Sequence, residues 1–398
     1  MCADRTQAPR IGIDGSSVVG PRTGIGYATA ALLAAMGRNW PSEWPPASVL
    51  VNSSRYDLPR GDPWLSSAHL QVKQRRYPGK VLLRGWQYLK WPPIESMLGP
   101  LELVHAPASY IPPVRRARRV VTVHDLYFHY APQHVEAYGG RYFAQTFRMG
   151  LPRVDHIIAV SNFTKNELIK VYGLDSERIT MVPQGIDENR FQADPKPEDT
   201  KHMDKLGIEP PFLLCVATIE PRKNLVTLIE AYARVRQILS AARQNVPTLV
   251  ITGQLGWSIN ALQERVAEAH LGGMVQLTGY LPGPLLPALY RQALGFVFPS
   301  LYEGFGMPVI EAMACGCPTV IARAGALPEI AGDASDYFNP RDSDNMARVL
   351  AKFITDPYHR NDLRNAGLQQ AAKFSWETTA RETIEVYRRV LAQGDRSA

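Results

Sequence analysis

The chain has 398 residues, more than one hydrophobic core usually serves, so two domains are expected. Apolar residues at 45% and charged residues at 20% describe an ordinary globular protein and exclude a disordered or membrane-embedded one. The net charge of +7 is uneven: residues 1–190 hold 23 Lys and Arg against 15 Asp and Glu, and residues 191–398 hold 21 against 22.

The opening MCADRTQAPR has no apolar run of the secretory type, and no span is apolar enough to cross a bilayer, which predicts a cytosolic chain. Cys2, Cys215, Cys315 and Cys317 fit reduced thiols, and Cys315-Gly316-Cys317 has the wrong spacing for a C-x-x-C site. Arg10 to Asp14 alternates as a first strand. Thr23-Gly24-Ile25-Gly26 then precedes an alanine-rich helix from about Tyr27 to Met36. Strand, glycine loop and helix follow the phosphate-binding logic of an α/β domain. The spacing is not G-x-G-x-x-G and no acidic residue follows at the right distance, which disfavours a dinucleotide.

Trp40 to Pro46 and Tyr56 to Pro63 read as surface loops. The basic excess concentrates between Arg55 and Arg119 and includes Lys73, Arg75, Arg76, Lys80, Arg84 and Lys90, mixed with Trp86, Tyr88 and Trp91. Such a surface suits anionic headgroups, at about 1 kcal/mol per basic residue; a solvated face is the plain alternative. No nucleic-acid motif accompanies the charge. Strands follow at Leu101 to His105 and Val120 to Val123, the latter ending in His124-Asp125. Groups just past the carboxyl ends of parallel strands point into the ligand crevice, so His124 is a candidate catalytic or sugar-contacting group, although a lone His there is more often structural. Asp125 either orients it or holds an acceptor. Ser161 or Asn162 can cap the next helix, and Asp175 to Val182 is the last strand of the first half. The polar stretch Asp194 to Lys205 reads as surface beside a boundary near 190.

The second half restarts with a strand at Phe212 to Val216, then TIEPRKN and a helix from Leu225 to Leu239. Arg222 and Lys223 in that loop are placed to neutralise a diphosphate, an exposed basic pair being the plain alternative. Strands continue at Thr248 to Thr252, Val275 to Leu277 and Leu294 to Phe298. Pro308 suits a helix start, which leaves Gly304, Phe305, Gly306 and Met307 between strand and helix with backbone N–H groups for a phosphate. Glu303 in the loop and Glu311 one turn into the helix can accept hydrogen bonds from hydroxyl-rich groups such as ribose and hexose. Asp342-Ser343-Asp344 spells the Asp-x-Asp of some Mg²⁺ or Mn²⁺ sites, yet it precedes MARVLAKFI and reads as a helix cap. A last amphipathic helix, Trp376 to Ala392, carries Trp376, Ala380, Ile384, Tyr387 and Leu391 on one face.

The string PSLYEGFGMPVIEA, its glutamates eight positions apart around Gly-Phe-Gly and followed by AMACGCPTV, resembles the donor-site segment of retaining glycosyltransferases of family 4; VVTVHDL resembles that family's segment with the catalytic-centre histidine, and EPRKN its diphosphate clamp. The resemblance runs from Arg10 to Leu391 and implies the GT-B architecture: an α/β chain of two Rossmann-like domains facing across a cleft. Residues 1–190 would be the acceptor side, 191–375 the nucleotide-sugar side, and 376–398 a helix returning to the first domain. It further implies that Glu303 contacts the transferred sugar and Glu311 the ribose. His124 would line the catalytic centre, Arg222 and Lys223 clamp the diphosphate, Gly24 and Gly26 face acceptor and diphosphate, and Leu281 borders the base. Several members carry a further arginine where this chain has Thr218.

VHDLYFHYAP, TIEPRKN and SLYEGFGMP together are most similar to bacterial mannosyltransferases of O-antigen and other surface polysaccharides. The function so implied is retaining transfer of a hexose, with GDP-mannose the favoured donor, to a lipid-linked or oligosaccharide acceptor. No metal or other cofactor is expected, no nucleic acid, and a peripheral position on the inner face of the plasma membrane. The alternatives are a nucleotide-sugar epimerase of the same fold and a catalytically inactive nucleotide-binding protein.

Overall fold

A computed structural model describes residues 8–393 apart from 21, 59, 109, 135–139, 255, 257 and 282, so Cys2 lies outside the described residues. The chain divides into two compact units, residues 1–185 with 376–398, and residues 186–375.

The first unit is built on a parallel sheet of β1 (Ile11–Asp14), β2 (Ala47–Asn52), β3 (Leu70–Arg75), β4 (Leu103–Ala106), β5 (Arg118–Val123), β6 (His156–Ala159) and β7 (Ile179–Met181), in the order β3-β2-β1-β4-β5-β6-β7. All four residues of β1 are buried, as a strand covered on both faces requires. On one face Ile11 and Ile13 pack with Leu33 and Met36 of the helix Gly24–Asn39 and with the terminal helix Trp376–Ala392. On the other, Leu50 and Val104 meet Leu82, Trp86, Ile94 and Met97. The stretch 40–46, expected at the surface, is anchored: Trp40 is buried and its indole N–H donates to Pro45 O at 3.0 Å. Trp86, expected among surface aromatics, is likewise buried and donates to Pro92 O at 2.9 Å.

The terminal helix buries Trp376, Ala380, Ile384 and Tyr387, with Leu391 partly covered. Each fully buried side chain of Ile size contributes about 1.5–3 kcal/mol. A polar contact fixes its register: the Tyr387 hydroxyl lies 2.6 Å from His105 Nδ1, and His105 Nε2 lies 2.8 Å from Thr122 Oγ1. At the start of the helix Asn162–Tyr172 it is Ser161 that caps, accepting from Thr164 N at 3.0 Å.

The second unit holds a parallel sheet of β8 (Phe212–Val216), β9 (Thr248–Thr252), β10 (Val275–Gly279), β11 (Gly295–Phe298), β12 (Thr319–Ala322) and β13 (Ser335–Phe338), in the order β10-β9-β8-β11-β12-β13. The stretch read as surface, 194–205, contains most of the helix Asp199–Leu206. Asp199 is buried there and takes a two-point contact from Arg291, Nε to Oδ2 at 2.7 Å and Nη2 to Oδ1 at 2.5 Å. Asp342 accepts from the backbone N–H of Asp344 and Asn345 at 3.0 and 2.9 Å and so caps the helix Ser343–Thr355.

In each sheet the strand order reverses once, between β1 and β4 and between β8 and β11. Loops leaving the carboxyl ends of two such strands turn to opposite faces and open a crevice between them.

Candidate functional site

In the second unit the loops after β8 and β11 are sewn together by the Asn224 side chain and one backbone bond. Pro221–Lys223 forms one 3-10 turn, ended by Asn224 in the left-handed region at φ 58°. The Asn224 amide donates to Pro299 O at 3.1 Å and to Pro340 O at 2.7 Å, while Leu301 N donates to Arg222 O at 2.9 Å. This stitching delivers Lys223 Nζ to 2.5 Å from Glu303 Oε1 and Arg222 Nη1 to 3.6 Å from Glu303 Oε2. Arg222 also bonds Glu220 through Nε at 2.9 Å. Lys223 is 8% and Glu303 7% exposed, so the reading of an exposed basic pair does not hold for Lys223.

Burial would raise the Glu303 carboxyl, but the Lys223 ammonium and the Arg222 guanidinium outweigh it and hold the group below the usual carboxylate range. Burial and the like charge of Arg222 lower Lys223 against the pull of Glu303. The four side chains Glu220, Arg222, Lys223 and Glu303 thus form a charge-balanced cluster at the switch point of the sheet. Sequence reasoning missed Glu220 as a member, although it stands in the same EPRKN string.

The loop carrying Glu303 is held from the loop after a third strand, β12. Ala326 N donates to Glu303 O at 2.9 Å, and Gly325, at φ 58°, comes so close that a Cβ there would lie 2.5 Å from Glu303 O. Gly304 and Phe305 follow, the Phe305 ring edge-on to Phe374. Gly306 at φ 109° then starts the helix Met307–Ala314, so Pro308 occupies its second position. Glu311 in this helix accepts from the buried Tyr290 hydroxyl at 3.2 Å. Burial pushes its carboxyl up to about 7, with Arg190 and Tyr290 pulling the other way. Leu281 is half-buried two residues beyond β10.

In the first unit His124 stands one residue past β5. Its Nε2 lies 2.7 Å from Pro107 O and its Nδ1 2.7 Å from the Gln184 amide nitrogen. Burial lowers its pKa, opposed by the Pro107 carbonyl and the Asp125 charge. Asp125 accepts from Tyr127 N at 3.0 Å, while the ring nitrogens of His124 are bonded by Pro107 and Gln184. Gly24 is exposed at the start of its helix with open space beside it. Gly26 is buried where a Cβ would lie 2.5 Å from Ser17 O, a close backbone approach that glycine permits.

The model described as Glycosyl transferases group 1 matches residues 198–370, and that described as Glycosyltransferase Family 4 matches residues 49–190. O-antigen chain mannosyltransferase B of Escherichia coli is 32% identical over 287 residues, 72% of this chain and 74% of that protein. Serotype-specific mannosyltransferase WbdA of Escherichia coli is 36% identical over 242 residues, 60% of this chain but 29% of its own length. Among solved structures, WaaG, a glycosyltransferase involved in lipopolysaccharide biosynthesis, matches with a TM-score of 0.71 at 16% identity, covering 96% of this chain and 100% of that one. Sucrose-phosphate synthase from Thermosynechococcus elongatus gives 0.74 at 19%, covering 97% and 100%. At these identities the likeness speaks to the fold, which is GT-B. With the sequence relatives it leads to one conclusion: the chain belongs to the glycosyltransferases of family 4 and group 1, as a hexosyltransferase.

Proposed function

We propose that the protein transfers mannose from GDP-mannose, with retention, to a lipid-linked glycan acceptor at the inner face of a membrane, without a metal. The observation that carries the reading is the Arg222–Lys223–Glu303 cluster at the β8/β11 switch point, where cations for a diphosphate adjoin a carboxylate for sugar hydroxyls. The mannose assignment draws on the relatives in O-antigen synthesis.

The chemistry follows from where charge develops. As the bond between the sugar C1 and the diphosphate oxygen breaks, negative charge grows on the leaving diphosphate. Arg222, Lys223 and the N–H groups from Gly304 to Met307 stabilise it there. A diphosphate drawing Arg222 and Lys223 toward itself releases Glu303 to accept from the sugar. The acceptor oxygen bonds C1 on the face the diphosphate leaves, and the leaving phosphate oxygen takes the acceptor proton. Glu311, once ionised, accepts from the ribose hydroxyls.

The test is an assay of the purified protein with GDP-mannose, UDP-glucose or dTDP-glucose and a lipid-linked acceptor, in excess EDTA, with the product anomer read by NMR. Retained α-mannosyl product from GDP-mannose alone is expected. An altered sugar nucleotide without acceptor, or a complete loss in EDTA restored by Mg²⁺, overturns the reading.

A further inference from the structure

We propose that Gln184 is a positioning residue that, together with the carbonyl of Pro107, locks His124 as the Nε2–H tautomer, so that the ring meets the transferred sugar as a fixed neutral dipole and not as a proton carrier. The inference rests on the reading of His124 as part of the transfer site and adds to it a residue and a protonation state.

The logic is one of donors and acceptors. The carbonyl of Pro107 can only accept, so the ring nitrogen 2.7 Å from it, Nε2, carries the proton. Nδ1 is then a bare lone pair, and the group 2.7 Å from it is the amide nitrogen of Gln184, which donates. Both nitrogens are thereby committed inside the protein, and neither is free to take a proton from an acceptor hydroxyl.

Gln184 is itself held. It is 6% exposed, and the carbonyl of the preceding Pro183 accepts from Thr379 Oγ1 of the terminal helix at 2.8 Å. Pro107, His124, Gln184 and Thr379 line one small cavity of the first unit. The sequence segment after β7 therefore reaches the ring from one side, with the terminal helix bracing it from behind.

The type of residue matters as much as its place. Among the described residues, Asp125 on its own segment and His105 from β4 are the titratable groups that act on the ring, and His105 is itself neutral, pushed down to about 3 by burial. An amide adds a donor without adding charge. A carboxylate at the same position would accept from Nδ1, demand a second proton on the ring and turn it into an imidazolium.

The experiment uses the full chain labelled with ¹⁵N-histidine, with the His124 signals assigned by their loss in His124→Asn. In the wild type, Nδ1 is expected at the shift of an unprotonated acceptor and Nε2 as N–H. Neither should change between about pH 5.5 and 8, the range where an ordinary imidazole titrates. Gln184→Glu should protonate both nitrogens at neutral pH, and Gln184→Leu should take the donor from Nδ1 and shift its signal while Nε2 keeps its proton toward Pro107 O. Both should lower kcat on the order of 10- to 100-fold, as misplacement of a site group does, with a smaller effect on KM. A His124 spectrum that is the same in the wild type and both variants overturns the lock. An altered spectrum with unchanged kcat overturns the positioning role. Absence of transfer by the wild type counts instead against the proposed function, while the spectrum still decides the lock.

Discussion

Lys223 and Glu303 show how a single buried pair can serve stability and chemistry in ways a double substitution separates. Removing one partner of a buried ion pair leaves an uncompensated charge and costs about 3–5 kcal/mol, whereas removing both costs far less. Lys223→Ala should therefore lower thermal stability, because it removes the nearer counter-charge of Glu303 and leaves the more distant Arg222 at 3.6 Å. Lys223→Ala with Glu303→Ala should recover much of that loss. Transfer should behave differently: loss of a group that stabilises the leaving diphosphate lowers the rate about tenfold to a thousandfold, and the double variant should recover none of it. Melting curves beside single-turnover rates make the comparison. A double variant that regains both stability and rate would reduce the pair to a structural one. Asn224 argues at the same scale. A non-glycine residue at φ 58° is strained, and its bond to Pro299 O helps hold the Lys223 turn against the Glu303 loop while its bond to Pro340 O ties the turn to the loop after β13.

The terminal helix carries a pH dependence that belongs to an element. His105, between Tyr387 and Thr122, is pushed down to about 3 by burial from an ordinary 6.5. The unfolded chain takes up a proton near 6.5 that the folded chain refuses until about 3. Its contribution to stability is thus complete above 6.5 and is lost as pH falls through that window, by at most roughly 1.4 kcal/mol per pH unit. Urea unfolding followed from pH 7 to 4 should show this decline, and His105→Asn should flatten it. A residual slope will persist, because burial also lowers His156 to about 4. A variant with the full wild-type slope would show that His105 is not the group responsible. This helix was legible in advance because Trp376, Ala380, Ile384 and Tyr387 repeat on one face. The helix Asp199–Leu206 was not, because its stretch is polar and the partner that buries Asp199 is Arg291, 92 residues away. β3 escapes a reading by pattern for a related reason. β3, LQVKQR, carries long polar side chains, and it counts as a strand through its pairing with β2. The motif strings exposed Glu303, Lys223 and His124, yet their supports, Gly325 for the Glu303 loop and Gln184 sixty residues from His124, come from loops that only the sheet brings together.

At the scale of the whole molecule the charge asymmetry is real, but the basic residues divide into two kinds. Lys73 Nζ donates to Leu98 O and Arg75 Nη2 to Met97 O, both at 2.6 Å, so they neutralise the carbonyl end of the helix Glu95–Leu98. Arg118 is paired with Asp155 at 3.1 Å. These do not form a docking face. Lys80 and Arg84 do remain exposed, on the segment Gly79–Leu89 that sinks Leu82 and Trp86 into the core and leaves Val81, Tyr88 and Leu89 in solvent, followed by Trp91. Tyr88, Leu89 and Trp91 are 69%, 74% and 65% exposed. Among the described residues no helix is long and apolar enough to cross a membrane. Basic residues at about 1 kcal/mol each, with aromatic side chains at the interface, predict weak and reversible binding to anionic vesicles. Raising salt should weaken it, since the Debye length falls from about 10 Å at 0.1 M to about 3 Å at 1 M. In co-sedimentation, Lys80→Ser with Arg84→Ser should remove the salt-sensitive part of the binding. Leu89→Ser with Trp91→Ser should remove the part that survives high salt. If the wild-type protein binds neutral and anionic vesicles equally, or if neither pair of substitutions changes the bound fraction, this face is solvated surface and the membrane assignment fails.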